Sequence, residues 1–340
     1  MREINETRSQ QQIIADSKPL LSFDAESDYL PWREQIKEKL FETLGLNVIA
    51  ENACPLEIEI EEDVEMEDHR RIRFVFESEH HVFVPCYLLI PNTGKEKYPV
   101  AITLQGHSSG FHNSVGIKKF LPRDENYQPR GCFGLQAVRE GYISLSIEQR
   151  GLGERTCQFP KFSCGFHAQS AMMMGRSLVG ERVWDIMRAI DLLSRFPQCD
   201  TGKILITGNS GGGTASYYAA CCDERIGLSV PSCAFCSYQA SLFHVLHCGC
   251  NFIPGAYRYY EMEDLACLIA PRRLAVVAGE KDEIFPIEGV RRSFATAKAI
   301  YEKAGAADNC SLTVTPREHR WCEEIVWGVV REEAAKLGWI

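Results

Sequence analysis

The stretch ILITGNSGGG at 204–213 decides how this chain folds. Its first four residues, ILIT, are apolar and β-branched enough for a buried strand, and TASYYAACC at 214–222 continues with a composition suited to a helix. Between them Gly208, Ser210 and Gly212 form G-x-S-x-G, which in a strand-to-helix setting is a nucleophile elbow. The pattern has a steric cause. The serine sits in a strained turn, and the residues two before and two after it must be small for strand and helix to pass closely.

Outward from this point, other short apolar runs lie at 100–104 (VAITL), 142–147 (YISLSI), 228–230 (LSV) and 274–278 (LAVVA). Helical periodicity or a long connection separates each from the next, clearest at 181–195, where Val183, Ile186, Met187, Ile190 and Leu193 share a stripe. Strands apolar on both faces and separated by helices imply a parallel sheet covered on both sides. A last strand at 311–315 precedes a last helix over about 321–336. Upstream, residues 31–44 carry Trp32, Ile36, Leu40, Phe41 and Leu44 at helical spacing. Alternating apolar residues near 56–60, 72–76 and 82–90 then read as antiparallel strands. The expectation is an α/β protein with a mostly parallel twisted sheet of about eight strands, helices on both faces, and an N-terminal helix-and-strand extension. Residues 1–30 form a polar segment, 31–97 the extension and 98–340 the core, so that 31–340 is one domain. Three irregular stretches, 106–135, 150–178 and 232–262, are expected to hold the substrate pocket, the last two as lid-like loops.

A serine hydroxyl needs an adjacent base, and the base needs an acid to fix its tautomer. After the elbow these follow in the order acid, then histidine. The loop GEKDEIFP at 279–286 leaves the carboxyl end of the 274–278 strand, and Asp282 is the expected acid, with Glu280 and Glu283 as rivals. His319, in PREHRW at 316–321, is the sole histidine after that loop and the expected base. Oxyanion donors are expected from the Gly211 N–H and from a backbone amide in LQGHSSG at 104–110, that of His107, with Gly106 permitting close approach. The His107 imidazole is left as a structural hydrogen-bonding group.

Composition narrows the partners. Lys and Arg total 37 against 46 Asp and Glu, a formal charge of −9, and no Lys/Arg block is present. The chain lacks the positive footprint that nucleic acid or an anionic membrane surface demands. No apolar run approaches about 18 residues, and the start, MREINETRSQQQIIADSK, has no secretion-signal core. The fifteen cysteines are therefore expected to stay reduced in a cytoplasmic protein. Cys233-x-x-Cys236 and His247-Cys248-x-Cys250 bring four thiols and an imidazole within 18 residues. The second C-x-x-C of a zinc ribbon is absent, so these are read as small apolar residues bordering the pocket. No metal and no cofactor is expected, and association of the chain with itself is left open.

The assembled segments resemble the acetyl-xylan-esterase-like and dienelactone-hydrolase-like branch of the α/β-hydrolase superfamily over roughly residues 30–338. The matching segments are VPCYLLIP (84–91), LQGHSSG (104–110), EQRGLGER (148–155), GERVWDIMRAIDLL (180–193), GNSGGG (208–213), HCGCNFIPG (247–255), LIAPRRLAVVAGEKDEIFP (268–286) and EHRWC (318–322). The resemblance implies Ser210 as nucleophile, Asp282 as acid and His319 as base. It also implies that Arg150 and Gly151 stabilise the turn below the site, with Arg182, Trp184 and Asp185 packed on the same side. Gln105 stands where a histidine often precedes the oxyanion-hole glycine. The implied activity is serine carboxylic-ester hydrolysis on a small ester, an acetylated sugar or short oligosaccharide. The rivals are a lactone or other small-ester hydrolase, and a non-catalytic binding protein that keeps the fold.

Overall fold

A computed structural model of the chain describes residues 4–157 and 163–339. Nine strands form one sheet: β1 (Ile58–Glu65), β2 (His69–Glu79), β3 (Val82–Pro91), β4 (Tyr98–Leu104), β5 (Ile143–Ile147), β6 (Cys199–Asn209), β7 (Ile226–Ser232), β8 (Arg273–Gly279) and β9 (Cys310–Thr315). Their spatial order is β1-β2-β3-β5-β4-β6-β7-β8-β9. The first three pair antiparallel, β3 joins β5 antiparallel, and every pair from β5 to β9 is parallel. The extension strands thus belong to the main sheet, which has nine strands where about eight were expected.

The pleat explains why the middles of the central strands carry apolar or small residues on both faces. Along β4 and β6, Val100, Ile102, Ile204 and Ile206 point into one core with the helices Leu178–Leu192, Gly211–Cys222 and Ile287–Lys303. The residues between them, Ala101 and Leu205, point into a second core with Phe133, Ala137, Trp321, Trp327 and Val330. Successive side chains of a strand face opposite ways, so a sheet with helices on both faces has no polar positions to spare. The extension differs. Ile72, Phe74 and Phe76 of β2 are buried against Trp32, Ile36, Leu40 and Leu44 of the helix Tyr29–Leu44, while the residues between them are only half-buried.

Within the polar first thirty residues, the described residues 4–30 are structured. Glu6–Ala15 is helical, capped by the Asn5 side chain, which accepts from the Arg8 N–H at 3.2 Å. The strand-like stretch after it is tied down by Leu20 and Leu21 N–H donating to the carbonyls of Arg258 and Tyr259 at 3.0 and 2.7 Å. Phe23 N–H donates to Asp264 Oδ1 at 2.8 Å. Among the described residues no helix is long and apolar enough to cross a membrane.

Candidate active site

Strand β6 delivers its chain into Ser210 at φ 57° and ψ −124°, and the helix Gly211–Cys222 starts at the next residue. A non-glycine residue at positive φ is held only where its surroundings over-determine it. Here Ser210 N–H donates to Ser232 O at 2.9 Å, and its carbonyl accepts from Thr214 N–H at 2.8 Å. The flanking glycines are required by contact: a Cβ at Gly208 or Gly212 would strike the carbonyl oxygen of Leu104 at the end of β4. A Cβ at Gly106 would lie 2.7 Å from Asn209 O and 3.2 Å from Ser210 Cβ. The loop after β4 therefore lies directly against the elbow. Gly211, first residue of the helix, has an N–H with no acceptor inside that helix.

The loops after β8 and β9 bring together Asp282 and His319, the expected acid and base. His319 Nδ1 lies 2.8 Å from Asp282 Oδ2. The other carboxylate oxygen, Oδ1, accepts from the N–H groups of Ile284 and Phe285 at 2.8 and 3.0 Å, so both faces of the carboxylate are fixed. Asp282 is buried, whereas Glu280 and Glu283 are exposed and make no contact of this kind. Phe285 stacks on the His319 ring, with centroids 5.8 Å apart and planes 16° from parallel. An imidazole that gives Nδ1–H to a carboxylate keeps the Nε2 lone pair free to take a proton. Cys233 packs beside this pair, its thiol 3.7 Å from Arg320 O.

Ser210 and His319 line a cavity of about 340 Å³ with Gly106, His107, Tyr127, Arg130, Phe133, Asn209, Ile284, Arg320 and Trp321. Its walls come from 127–133 and from the loops after β8 and β9. Among the described residues, the segments 150–178 and 232–262, expected as lid-like loops, contribute none of the residues named above; residues 158–162 of the first lie outside the described residues. Parts of both segments fold instead around the far side of His107: the helix Cys164–Met173 and the turn Gly249–Asn251 pack there, and Cys164, Cys248 and Cys250 surround the His107 ring. Their sequence gave no sign of this because residues 248–250 reach Cys164 only through the sheet's connectivity. Cys236 packs apart, with Ala278, Phe285 and Val290. Tyr127 and Arg130 lie in a stretch of neither period, so nothing in the sequence singled them out. Arg320 and Trp321 could have been found by adjacency to His319.

Beneath the loop at 105–110 lies a polar layer. Gln105 Nε2 donates to Glu148 Oε1 at 2.7 Å, and the same carboxylate accepts from Phe111 and Glu154 N–H, each at 3.2 Å. Burial pushes the Glu148 carboxyl up to about 7. Arg150 Nε and Nη2 grip Asp185 at 2.9 and 2.8 Å, and Arg150 Nη2 also donates to Glu79 at 2.7 Å. The Arg150 carbonyl in turn accepts from Arg182 Nη2 at 2.8 Å.

Asp124 anchors the other end of this loop. Burial disfavours its charge, but hydrogen bonds from Ser109 Oγ and from Phe120 and Lys119 N–H outweigh that and hold it at about 2; the two N–H bonds are 2.7 Å each. A carboxyl held below its unfolded value contributes stability above pH ~4 and loses it as pH falls toward 2. Asp124→Asn, which turns an amide NH2 toward these donors, is expected to lower unfolding free energy at pH 7 by about 2–4 kcal/mol. It is also expected to flatten the acid limb of the stability curve. Urea midpoints at pH 7 and pH 3 measure both, and a midpoint at pH 7 equal to wild type excludes this role.

A mostly parallel sheet with a strand–elbow–helix at β6 and acidic and histidine loops after β8 and β9 is the α/β-hydrolase fold. The chain belongs to the Abhydrolase family, whose model matches residues 2–221. It is 24% identical over 313 residues to "Putative hydrolase YtaP" of Bacillus subtilis (strain 168), covering 90% of this chain and 98% of that one. Among solved structures it is similar to a "putative acetyl xylan esterase" from Bacteroides fragilis NCTC 9343, with TM-score 0.81, 15% identity, and coverage of 97% of this chain and 95% of that one. It is also similar to a glucuronoyl esterase from Solibacter usitatus, with TM-score 0.66, 14% identity, and coverage of 94% and 97%.

Proposed function

We propose that the chain is a serine carboxylic-ester hydrolase working through an acyl-enzyme. The observation that carries this reading is the Asp282–His319 pair at 2.8 Å facing a cavity whose floor holds Ser210 in a strained elbow. His319 Nε2 takes the Ser210 proton as Oγ bonds to the ester carbonyl carbon. The oxyanion that forms is held by the N–H groups of Gly211 and His107. His319 then gives its proton to the departing alcohol as the C–O bond breaks, and water, deprotonated by the same histidine, cleaves the acyl-serine.

Acetyl esters of sugars or short oligosaccharides are the proposed substrates. Arg130 and Arg320 on the cavity wall each offer several fixed N–H donors to a polyhydroxylated alcohol, and the half-buried Tyr127 offers a ring against which a sugar packs. Structural neighbours named as acetyl xylan and glucuronoyl esterases support the same substrate class. A reducing, cytoplasmic setting is proposed from the cysteines, all fifteen of which are free thiols.

The test is covalent. Wild-type protein is expected to release a burst of p-nitrophenol from p-nitrophenyl acetate and to be labelled by a fluorophosphonate on the peptide carrying Ser210. Ser210→Ala is expected to lose both. A burst of equal size from Ser210→Ala would overturn the mechanism, and absence of both from wild type would favour a non-catalytic binding protein.

A further inference from the structure

We infer that His107, Cys164, Cys248 and Cys250 form a structural zinc site behind the oxyanion loop. Their four ligand atoms lie within 4.8 Å of one another. Cys164 Sγ and Cys250 Sγ stand 3.4 and 3.5 Å from the same ring atom, His107 Nε2. A tetrahedral zinc with Zn–S of about 2.3 Å and Zn–N of about 2.0–2.1 Å separates its sulfur and nitrogen ligands by roughly 3.5 Å. Three thiols and an imidazole are a ligand set of the structural, closed class, with no position left for a substrate. Chance packing of apolar thiols does not account for their grouping around one nitrogen.

The surroundings fit the charge. Zinc binding breaks three S–H bonds and releases three protons to solvent; the dication with three thiolates and a neutral imidazole then carries one net negative charge. Arg182, buried to 2% exposure, lies against it with Nη2 3.3 Å from Cys164 Sγ. The other hydrogen bonds of this guanidinium go to the Arg150 carbonyl and to Cys250, with no carboxylate among them. Such an outer partner holds a ligand in place and neutralises the site.

The four ligands come from three segments far apart in sequence: the loop after β4, the start of the helix Cys164–Met173, and the turn at Gly249–Asn251. Zinc would pin these together and fix the His107 ring, and with it the amide proposed for the oxyanion. The metal reading itself does not depend on the esterase reading, because it is measured as metal content.

The experiment uses the full chain, purified without a polyhistidine tag. Inductively coupled plasma mass spectrometry is expected to find about one zinc per chain, and replacement by cobalt is expected to give the thiolate-to-cobalt charge-transfer and tetrahedral ligand-field bands. Cys164→Ser and Cys250→Ser are each expected to lower zinc content at least about tenfold, while Cys157→Ser, at an exposed cysteine, keeps it. The wild-type measurements stand even where a serine variant fails to fold. The inference is overturned if wild-type protein holds no zinc and takes up neither zinc nor cobalt under reducing conditions. Iron in place of zinc, or a disulfide between two of these thiols in freshly purified protein, overturns it equally.

Discussion

His319→Ala is expected to lower kcat for p-nitrophenyl acetate hydrolysis by about 10⁴–10⁶-fold with little change in KM, since the lost group acts on the proton in flight rather than on the bound ester. Asp282→Asn is expected to cost about 10⁴-fold. The reason is specific to the geometry. Asp282 Oδ1 is held by the N–H groups of Ile284 and Phe285, so an asparagine keeps its oxygen there and turns its NH2 toward His319 Nδ1. The ring then places its proton on Nε2, where the Ser210 hydroxyl needs an acceptor. Glu280→Gln and Glu283→Gln, at exposed positions, are expected to change kcat by less than about twofold. The Ser210→Ala and His319→Ala single variants and their double variant are expected to have nearly equal residual rates, because the groups act as one unit. Steady-state kinetics on all six variants decides the assignment: near-normal turnover in Asp282→Asn with loss in Glu283→Gln would move the acid to the neighbouring loop position.

How much of this was legible in the sequence depends on how local each signal was. Strands β4 to β8 announce themselves because a sheet covered on both faces leaves no solvent-facing side along their middles, and the elbow because two glycines, Gly208 and Gly212, meet the carbonyl of Leu104. Asp282 could be ranked above Glu280 and Glu283 only by position; its burial and its two backbone donors appear once the loop is folded. The helix Glu6–Ala15 escaped because it has no buried residue and hence no apolar stripe to read. The stretch 106–135 is among those expected to hold the pocket, but nothing in the sequence singles out its wall residues Tyr127, Arg130 and Phe133, because the path there is set by contacts such as Asp124 with the N–H groups of Lys119 and Phe120, not by periodicity. The cysteines were grouped by spacing, which joins Cys233 and Cys236 to Cys248 and Cys250. The fold separates these pairs and joins the second to Cys164 and His107, residues 84 and more positions away from Cys248 in the chain.

Asp185 lies in the buried charge network beneath the loop at 105–110, and its replacement is expected to carry a large stability cost. Its carboxylate accepts from Arg150 at 2.9 and 2.8 Å, from Arg155 at 2.6 Å and from Ser78 Oγ at 2.6 Å, with the side chain 2% exposed. Burial opposes its charge, but Arg150 and Arg155 win and hold the carboxyl well below the usual carboxylate range. The network is balanced: Arg150, Arg155 and Arg176 face Glu79, Glu181 and Asp185. Removing one carboxylate leaves three guanidinium groups facing two carboxylates in a largely buried site. Asp185→Ala is expected to cost about 3–5 kcal/mol, the cost of breaking a buried pair from one side, read from urea midpoints at pH 7. Because the carboxyl is depressed in the folded state, its contribution is present above pH ~4 and lost on further acidification, so wild type and variant are expected to converge at low pH. Replacing both partners of the pair, Arg150→Met with Asp185→Leu, is expected to recover part of the loss, since the network then again holds equal numbers of opposite charges, Arg155 and Arg176 against Glu79 and Glu181, although Arg155 has lost its carboxylate partner. The same double variant separates packing from chemistry. The Arg150 carbonyl, which accepts from Arg182, survives in methionine, so recovery of stability is expected to bring back the p-nitrophenol burst as well. A double variant less stable than Asp185→Ala alone would show that Arg150 is needed for its own bonds to Glu79 and Glu181 rather than for its pairing with Asp185.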